Sequence, residues 1–245
     1  MRNPSASMLV IGDELLSGRT RDKNMHHLAL ELTKVGIDLK EVRFVSDLEA
    51  EIVLAVQQLS RKYDYVFTSG GIGPTHDDIT ADAIGKAFEI MVKVNIEAKK
   101  LLEAHYLEIG VELNEARLRM ARTPVGAKLI RNTISAAPGF NILNVFVMAG
   151  VPAIFKDMVS SVLPVLEAGS PVLSRSLNVM NGEGNIAEKL KIFAKINNTL
   201  SVGSYPFQLN GKYGTNIVIR GHDVTILDEA LIALSELFSR NIDEQ

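Results

Sequence analysis

Residues 67–80 read FTSGGIGPTHDDIT. An apolar run beginning at Tyr65 leads straight into Ser69, Gly70, Gly71 and Gly73, and two adjacent aspartates, Asp77 and Asp78, stand just before the next apolar-periodic segment. A buried strand that ends in glycines and restarts as a helix turns backbone N–H groups outward at a sheet edge. An anion can approach them closely there, and the helix N-terminus adds partial positive charge. The plain alternative is a tight turn, with Asp77 or Asp78 capping the helix and Thr75 competing for that role. The spacing is neither GxGxxG nor GxxxxGKS/T, which excludes the dinucleotide fingerprint and the P-loop.

The same texture recurs on either side. Residues 8–11, MLVI, form a short apolar run closed by Gly12, and residues 24–35 carry Met25, Leu28, Leu32 and Val35 at helical spacing. Residues 37–45 read as a second strand, 48–59 as a helix and 65–68 as a third strand. Helical patterns follow at 77–88, 96–106 and 114–121. Residues 142–148 read as a further apolar strand closed by Gly150, and Pro152 falls in the first turn of a helix that buries Ile154, Phe155, Met158 and Val162. Such alternation implies βαβ crossovers, hence a three-layer α/β domain over residues 7–168 with a mostly parallel sheet and helices on both faces. Ligands of such sheets gather at the C-terminal strand ends. Residues 167–176, EAGSPVLSRS, read as a linker, and 173–245 fit a small βαββα domain. Its elements are a strand at 177–180, a helix at 185–196, strands at 201–207 and 215–220 around an Asn210-Gly211 hairpin turn, and a helix at 224–238.

Composition narrows the function. The 245 residues carry a formal net charge of −3 and no long basic run, which points away from nucleic acid and anionic membrane and toward a small-molecule ligand. The lack of cysteine removes thiol nucleophiles and thiolate metal sites and fits a reducing compartment. The first apolar run is too short for a signal peptide, and no stretch is long enough to span a bilayer, so the expectation is a cytoplasmic protein.

Acidic residues collect where the strands end. GDELLSG at 12–18 places Asp13 and Glu14 after the first strand, and Asp47 follows the second. Each alone reads as a cap or a solvated turn residue. Together, carboxylates beside a phosphate loop repel the ligand unless a hard divalent cation bridges them. His26 and His27 open an amphipathic helix, cannot both face the core, and read as surface residues. His76 is a loop residue, or a proton donor or phosphate contact between glycines and aspartates. Leu118 and Met120 in LRMAR read as packing.

SGGIGPTHDDIT, GDELLSG with Asn24 behind it, AAPGF at 136–140 and MAGVP at 148–152 resemble the MoaB/Mog type of molybdenum-cofactor-biosynthesis domain. The form is the one found at the N-terminus of competence/damage-inducible protein A (CinA), and a similar domain occurs in eukaryotic FAD synthase. The tail, with GSYPF at 203–207 and KYGTNIVIRG at 212–221, resembles the small KH-type α/β domain that follows it in those proteins. The resemblance implies a pterin or nucleotide phosphate at this rim. In the CinA-like branch it implies hydrolysis of a nucleotide pyrophosphate such as ADP-ribose and, in the eukaryotic relatives, of FAD, with a divalent cation, Mg²⁺, Mn²⁺ or Co²⁺. It also implies homo-oligomers.

Carried over by position, it makes Asp47 and Asp78 the catalytic pair, with Glu14 joining them as metal ligands. Ligand contacts fall at Gly12, Asp13, Glu14 and Asn24; at Ser69, Gly70, Gly71, Gly73, Thr75, Asp77 and Thr80; and at Pro138, Gly139, Gly150 and Pro152. One departure bears on catalysis. CinA proteins read LPGPPxEM where this chain reads MAGVPAIF, so Ile154 replaces a glutamate and Ala149 and Val151 replace prolines. Two functions stand side by side: a metal-dependent hydrolase, and a module that holds molybdopterin or a nucleotide without cleaving it.

Overall fold

A computed structural model describes residues 2–239. The chain divides between Gly169 and Ser170 into two compact units. The first contains β1 (Ser5–Ile11), α1 (Asp13–Leu16), α2 (Asn24–Lys34), β2 (Asp38–Val45), α3 (Glu49–Lys62), β3 (Tyr65–Ser69), α4 (Thr80–Ala87), β4 (Val92–Val94), α5 (Ile96–Glu108), α6 (Glu115–Leu118), β5 (Arg122–Pro124), β6 (Lys128–Ile130), β7 (Gly139–Ile142), β8 (Val145–Met148) and α7 (Pro152–Val162). A six-stranded sheet runs in the order β2-β1-β3-β8-β7-β6. The β1–β2, β1–β3 and β3–β8 pairs are parallel, and β7–β8 and β6–β7 are antiparallel.

The alternation of side chains along β1 builds both layers. Ala6, Met8 and Val10 point to one face, where α2 and α7 bring Leu28, Leu32, Phe155, Met158 and Val162. Leu9 and Ile11 point to the other, under Ile52, Val56 and Leu59 of α3 and Ala83 and Ile84 of α4. β8 divides likewise, with Phe146 and Met148 on the first face and Val145 and Val147 on the second. Each fully buried Leu, Ile or Phe here contributes about 1.5–3 kcal/mol, and with both faces covered a mostly parallel sheet is the stable arrangement.

The second unit comprises β9 (Leu173–Val179), α8 (Glu183–Ile196), β10 (Ser201–Leu209), β11 (Lys212–Gly221) and α9 (Val224–Ser239), with an antiparallel sheet in the order β10-β11-β9. The β10–β11 turn is Asn210-Gly211, both at positive φ (51° and 79°), the conformation such a two-residue hairpin needs. The expected end of this domain, residues 240–245, lies outside the described residues.

Several expectations need correction. The apolar run 142–148 is not one strand, because Leu143 adopts φ 52° and reverses the chain into the β7–β8 hairpin. The helix expected from residue 77 starts at Thr80: Asp78 turns its carboxylate back to Thr75, and the residue before α4, Ile79, has no side-chain capping bond. Neither aspartate is therefore a helix cap. The stretch read as a linker up to residue 176 already runs as β9 from Leu173, because Leu173 and Leu177 pack on the small core. Residues 114–121 form only a short α-turn and a 3₁₀ turn, Arg119–Ala121. Among the described residues, no helix is long and apolar enough to cross a membrane.

Candidate functional site

Because β1, β2, β3 and β8 are parallel, their C-terminal ends lie on one edge. β1 connects to β2 on one side of itself, while β3 pairs on the other, so the sheet has its switch point between β1 and β3. A cleft of about 420 Å³ opens there, lined by Gly12 and Glu14 after β1, Asp47 after β2, Gly70 to Pro74 with Asp77 and Asp78 after β3, and Ala149 to Val151 after β8. Ile11, Met120, Ser135, Ala137 and Ile154 complete the wall.

The glycines are there because the chain passes too closely for side chains. Gly70 has φ 110°, and a Cβ would sit 2.2 Å from the Ile11 carbonyl oxygen. Gly71 has φ 68°, and its Cβ would meet Thr80 Oγ1 at 2.1 Å. The Gly70 amide is spent on the Met148 carbonyl (3.2 Å), which closes the β3–β8 seam. Among the described residues, the amides of Gly71, Ile72 and Gly73 donate to no protein acceptor, so this turn, which lines the cleft, has unspent donors. Such donors are the physical requirement for an anion cradle.

The sequence-derived site residues separate into two groups. Gly12, Glu14, Asp47, Gly70, Gly71, Gly73, Asp77, Asp78 and Gly150 line the cleft. Asp13, Asn24, Ser69, Thr75, Thr80, Gly139 and Pro152 do not, and most of them hold the wall from behind. The Asp13 amide donates to Asp47 Oδ2 (2.9 Å). Thr75 donates to Asp78 Oδ2 from its amide (2.8 Å) and its hydroxyl. Thr80, fully buried, donates from Oγ1 to the Gly70 carbonyl (3.1 Å) and from its amide to that of Gly71 (3.0 Å). Asn24 Nδ2 donates to Ser69 Oγ (2.7 Å) and to the Gly150 carbonyl (2.8 Å), tying the ends of β3 and β8 together. Gly139 lies within β7, Pro152 opens α7, and Pro138 lines a small crevice behind the glycine loop. His76 is 99% exposed, a loop residue, whereas His27 is half-buried, its pKa lowered chiefly by that burial.

Asn24 is buried and bridges two loops, so Asn24→Ala is expected to cost about 2 kcal/mol, since it strands Ser69 Oγ and the Gly150 carbonyl. Thermal unfolding reads this loss.

Two contacts at the site escaped the sequence reading. Met120 packs beside Ala121 and Leu102 as read, and it also lines the cleft. Arg119, its neighbour, reaches the glycine loop from outside the sheet and donates from Nη2 to the Asp78 carbonyl (3.3 Å). No local pattern marks such a contact, because it joins positions far apart in the chain.

Electrostatics concentrate at Asp47. Burial raises its pKa above the usual aspartate value, and repulsion from Asp13, Glu14 and Asp77 adds to this, while the Asp13 amide opposes it. A carboxyl whose folded pKa exceeds its unfolded value binds a proton more readily when folded. Ionised Asp47 therefore costs stability at neutral pH, and the cost fades as pH falls through its raised pKa toward the ordinary aspartate range. Asp47→Asn is thus expected to raise Tm at pH 7 by about 1–2 °C without divalent cations, with the advantage shrinking in acid. Calorimetry across that range decides it.

Glu14, Asp47 and Asp78 share the cleft, yet among the described residues no group of three or more His, Asp or Glu side chains is arranged to hold a metal ion. These residues therefore do not form a cage made by protein alone; Mg²⁺ sites of the kind that use one or two protein carboxylates and complete the shell with substrate oxygens require no such cage.

A mostly parallel α/β sheet with unspent loop amides and carboxylates at its switch point has the architecture in which ligands gather at the C-terminal strand ends. The chain belongs to the probable molybdopterin binding domain family, whose model matches residues 7–168, and the FAD synthase middle domain matches residues 171–244. The probable FAD synthase of Caenorhabditis elegans is 32% identical over 97% of this chain and 50% of that protein, so the chain spans half of that relative. A Pyrococcus abyssi protein is 34% identical over 92% of this chain and 94% of its own length. Among solved structures, CinA from Thermoplasma acidophilum, described as of unknown function, superimposes with a TM-score of 0.60 at 28% identity, covering 66% of this chain and 96% of that one.

Proposed function

We propose that the cleft binds the phosphate of a nucleotide or pterin and hydrolyses a nucleotide pyrophosphate, ADP-ribose or FAD, with a divalent cation. The observation that carries this reading is the conjunction, in one cleft, of the unspent Gly71, Ile72 and Gly73 amides with the carboxylates of Glu14, Asp47 and Asp78. The amides hold phosphate oxygens. Asp47 and Asp78, with Glu14, would hold a divalent cation, which would supply polarisation of phosphorus and a lowered pKa of water. Water attacks one phosphorus, the bridging P–O bond breaks, and two monophosphates leave; from FAD these are FMN and AMP. The apolar part of the wall, Ile72, Met120, Val151 and Ile154, suits the ring of a nucleoside or pterin.

A product assay on ADP-ribose and FAD with Mg²⁺, Mn²⁺ and Co²⁺ added in turn tests the proposal. Monophosphates that appear only with a cation support it. A second reading is favoured by Ile154, which lines the cleft where the CinA-like pattern has a glutamate: tight binding of either ligand without products would make this a binding module for molybdopterin or a nucleotide.

The same proposal includes self-association through α5 and the turn after it. Ile96, Leu107 and Ile109 are 74%, 84% and 51% exposed there, apolar surface at the two ends of the helix that association would bury. Light scattering is expected to give a mass above that of one chain, and a monomer at high concentration removes this part.

A further inference from the structure

We infer that Arg119 is a positioning residue that holds the phosphate loop in its binding geometry, an assignment that rests on the cleft being the phosphate site proposed above. Three observations carry it. The guanidinium reaches the loop directly, with Nη2 donating to the main-chain carbonyl of Asp78 at 3.3 Å. Its Nε is buried and has no hydrogen-bond partner, and the side chain as a whole is only partly exposed. Around it lies a small crevice whose walls are Gly71, Ile72, Gly73 and Asp78, the residues whose other side faces the cleft, together with Asp82 and Arg122.

The segment bearing Arg119 is anchored well enough to act as a brace. Asn114 Oδ1 accepts from the Arg117 amide (3.0 Å), and the Ala121 carbonyl accepts from the Asn95 amide (2.8 Å). Arg122 grips Asp82 of α4 through both terminal nitrogens, at 2.8 and 2.6 Å. Bidentate pairing of this kind fixes orientation as well as distance. The brace therefore ties α4, which follows the loop, to the segment that touches the loop.

The loop needs such support from outside. Gly71 and Gly73 have no side chains with which to pack. Inside the loop, the Asp78 carboxylate is tied only to Thr75, three residues away. A guanidinium on the Asp78 carbonyl adds a link between the loop and the rest of the domain, and its positive charge beside the loop also favours negative charge in the cleft. Arg119 orders the Gly71–Ile72–Gly73 amides without touching ligand, which makes it distinct from the carboxylates of the cleft.

Amide hydrogen exchange on the ligand-free full chain tests the assignment, with Arg119→Met retaining the stem and removing the donors, and Arg119→Lys retaining the charge. Exchange of the hydrogen-bonded loop amides, those of Gly70, Thr75 and Asp78, is expected to quicken about fivefold in Arg119→Met, consistent with loss of one charged hydrogen bond, with β1 and the rest of β3 unchanged and Arg119→Lys intermediate. Titration with inorganic pyrophosphate and Mg²⁺ is expected to show about tenfold weaker binding by Arg119→Met. Parent-like loop exchange in Arg119→Met overturns the assignment, as does quickened exchange spread evenly over β1, β3 and the loop, which marks general destabilisation. A parent protein that binds no pyrophosphate overturns the phosphate-site reading instead, and the exchange measurement still decides whether Arg119 orders the loop.

Discussion

Asp78→Asn is expected to abolish most cation-dependent hydrolysis of FAD or ADP-ribose, by a factor of about a hundred or more, while leaving the fold intact. The substitution is clean because of what Asp78 does locally. Its Oδ2 accepts from Thr75 N and Oγ1, and an asparagine oxygen can accept the same bonds, so the turn survives. What is lost is one negative charge in the cleft. Stability should fall by about 1 kcal/mol or less. Turnover within a few-fold of the parent, with unchanged ligand affinity, would show that Asp78 serves only to fold the loop.

Gly70→Ala should have the opposite character, a large loss of stability that carries ligand binding with it. At φ 110° a Cβ would stand 2.2 Å from the Ile11 carbonyl oxygen, and no rotamer relieves a clash with backbone. β1 and β3 would have to separate at the switch point. The expected cost is about 3 kcal/mol or more, or roughly 6–12 °C in Tm for a domain of this size. Gly126→Ala is the control. Gly126 also has positive φ, 86°, but open space where the Cβ would be, so only the backbone penalty of about 1 kcal/mol applies. Equal losses in the two variants would show that close approach at the strand ends is not what demands glycine.

The central sheet was legible because β1, β3 and β8 are apolar on both faces and each ends at or just before a glycine. That pattern is written locally. The β7–β8 hairpin was not, because the reversal at Leu143 interrupts an apolar run with no Gly or Pro to announce it. β4, β5 and β6, of three residues each, are too short to show a period. Within the site, glycines and carboxylates declared themselves by type and spacing. Sequence could not separate residues that face the ligand from those that hold the wall: Asn24, Ser69 and Thr80 carry polar groups as Asp47 does, and only burial behind the loops distinguishes them. Arg119 depends on a contact with a residue 41 positions away, and such pairings leave no trace in a single sequence.

The parallel pairing of Val66 with Val145 joins segments that lie far apart along the chain. Closing so long a loop is entropically costly and slow, so this seam belongs to the late part of folding, after the β1–β2 and β7–β8 contacts, which span less sequence. The Gly70–Met148 and Asn24–Gly150 hydrogen bonds that shape the cleft lie across the same seam. The cleft forms only when this seam is closed, so a ligand bound there would hold the seam shut. Its presence should slow unfolding far more than it speeds refolding.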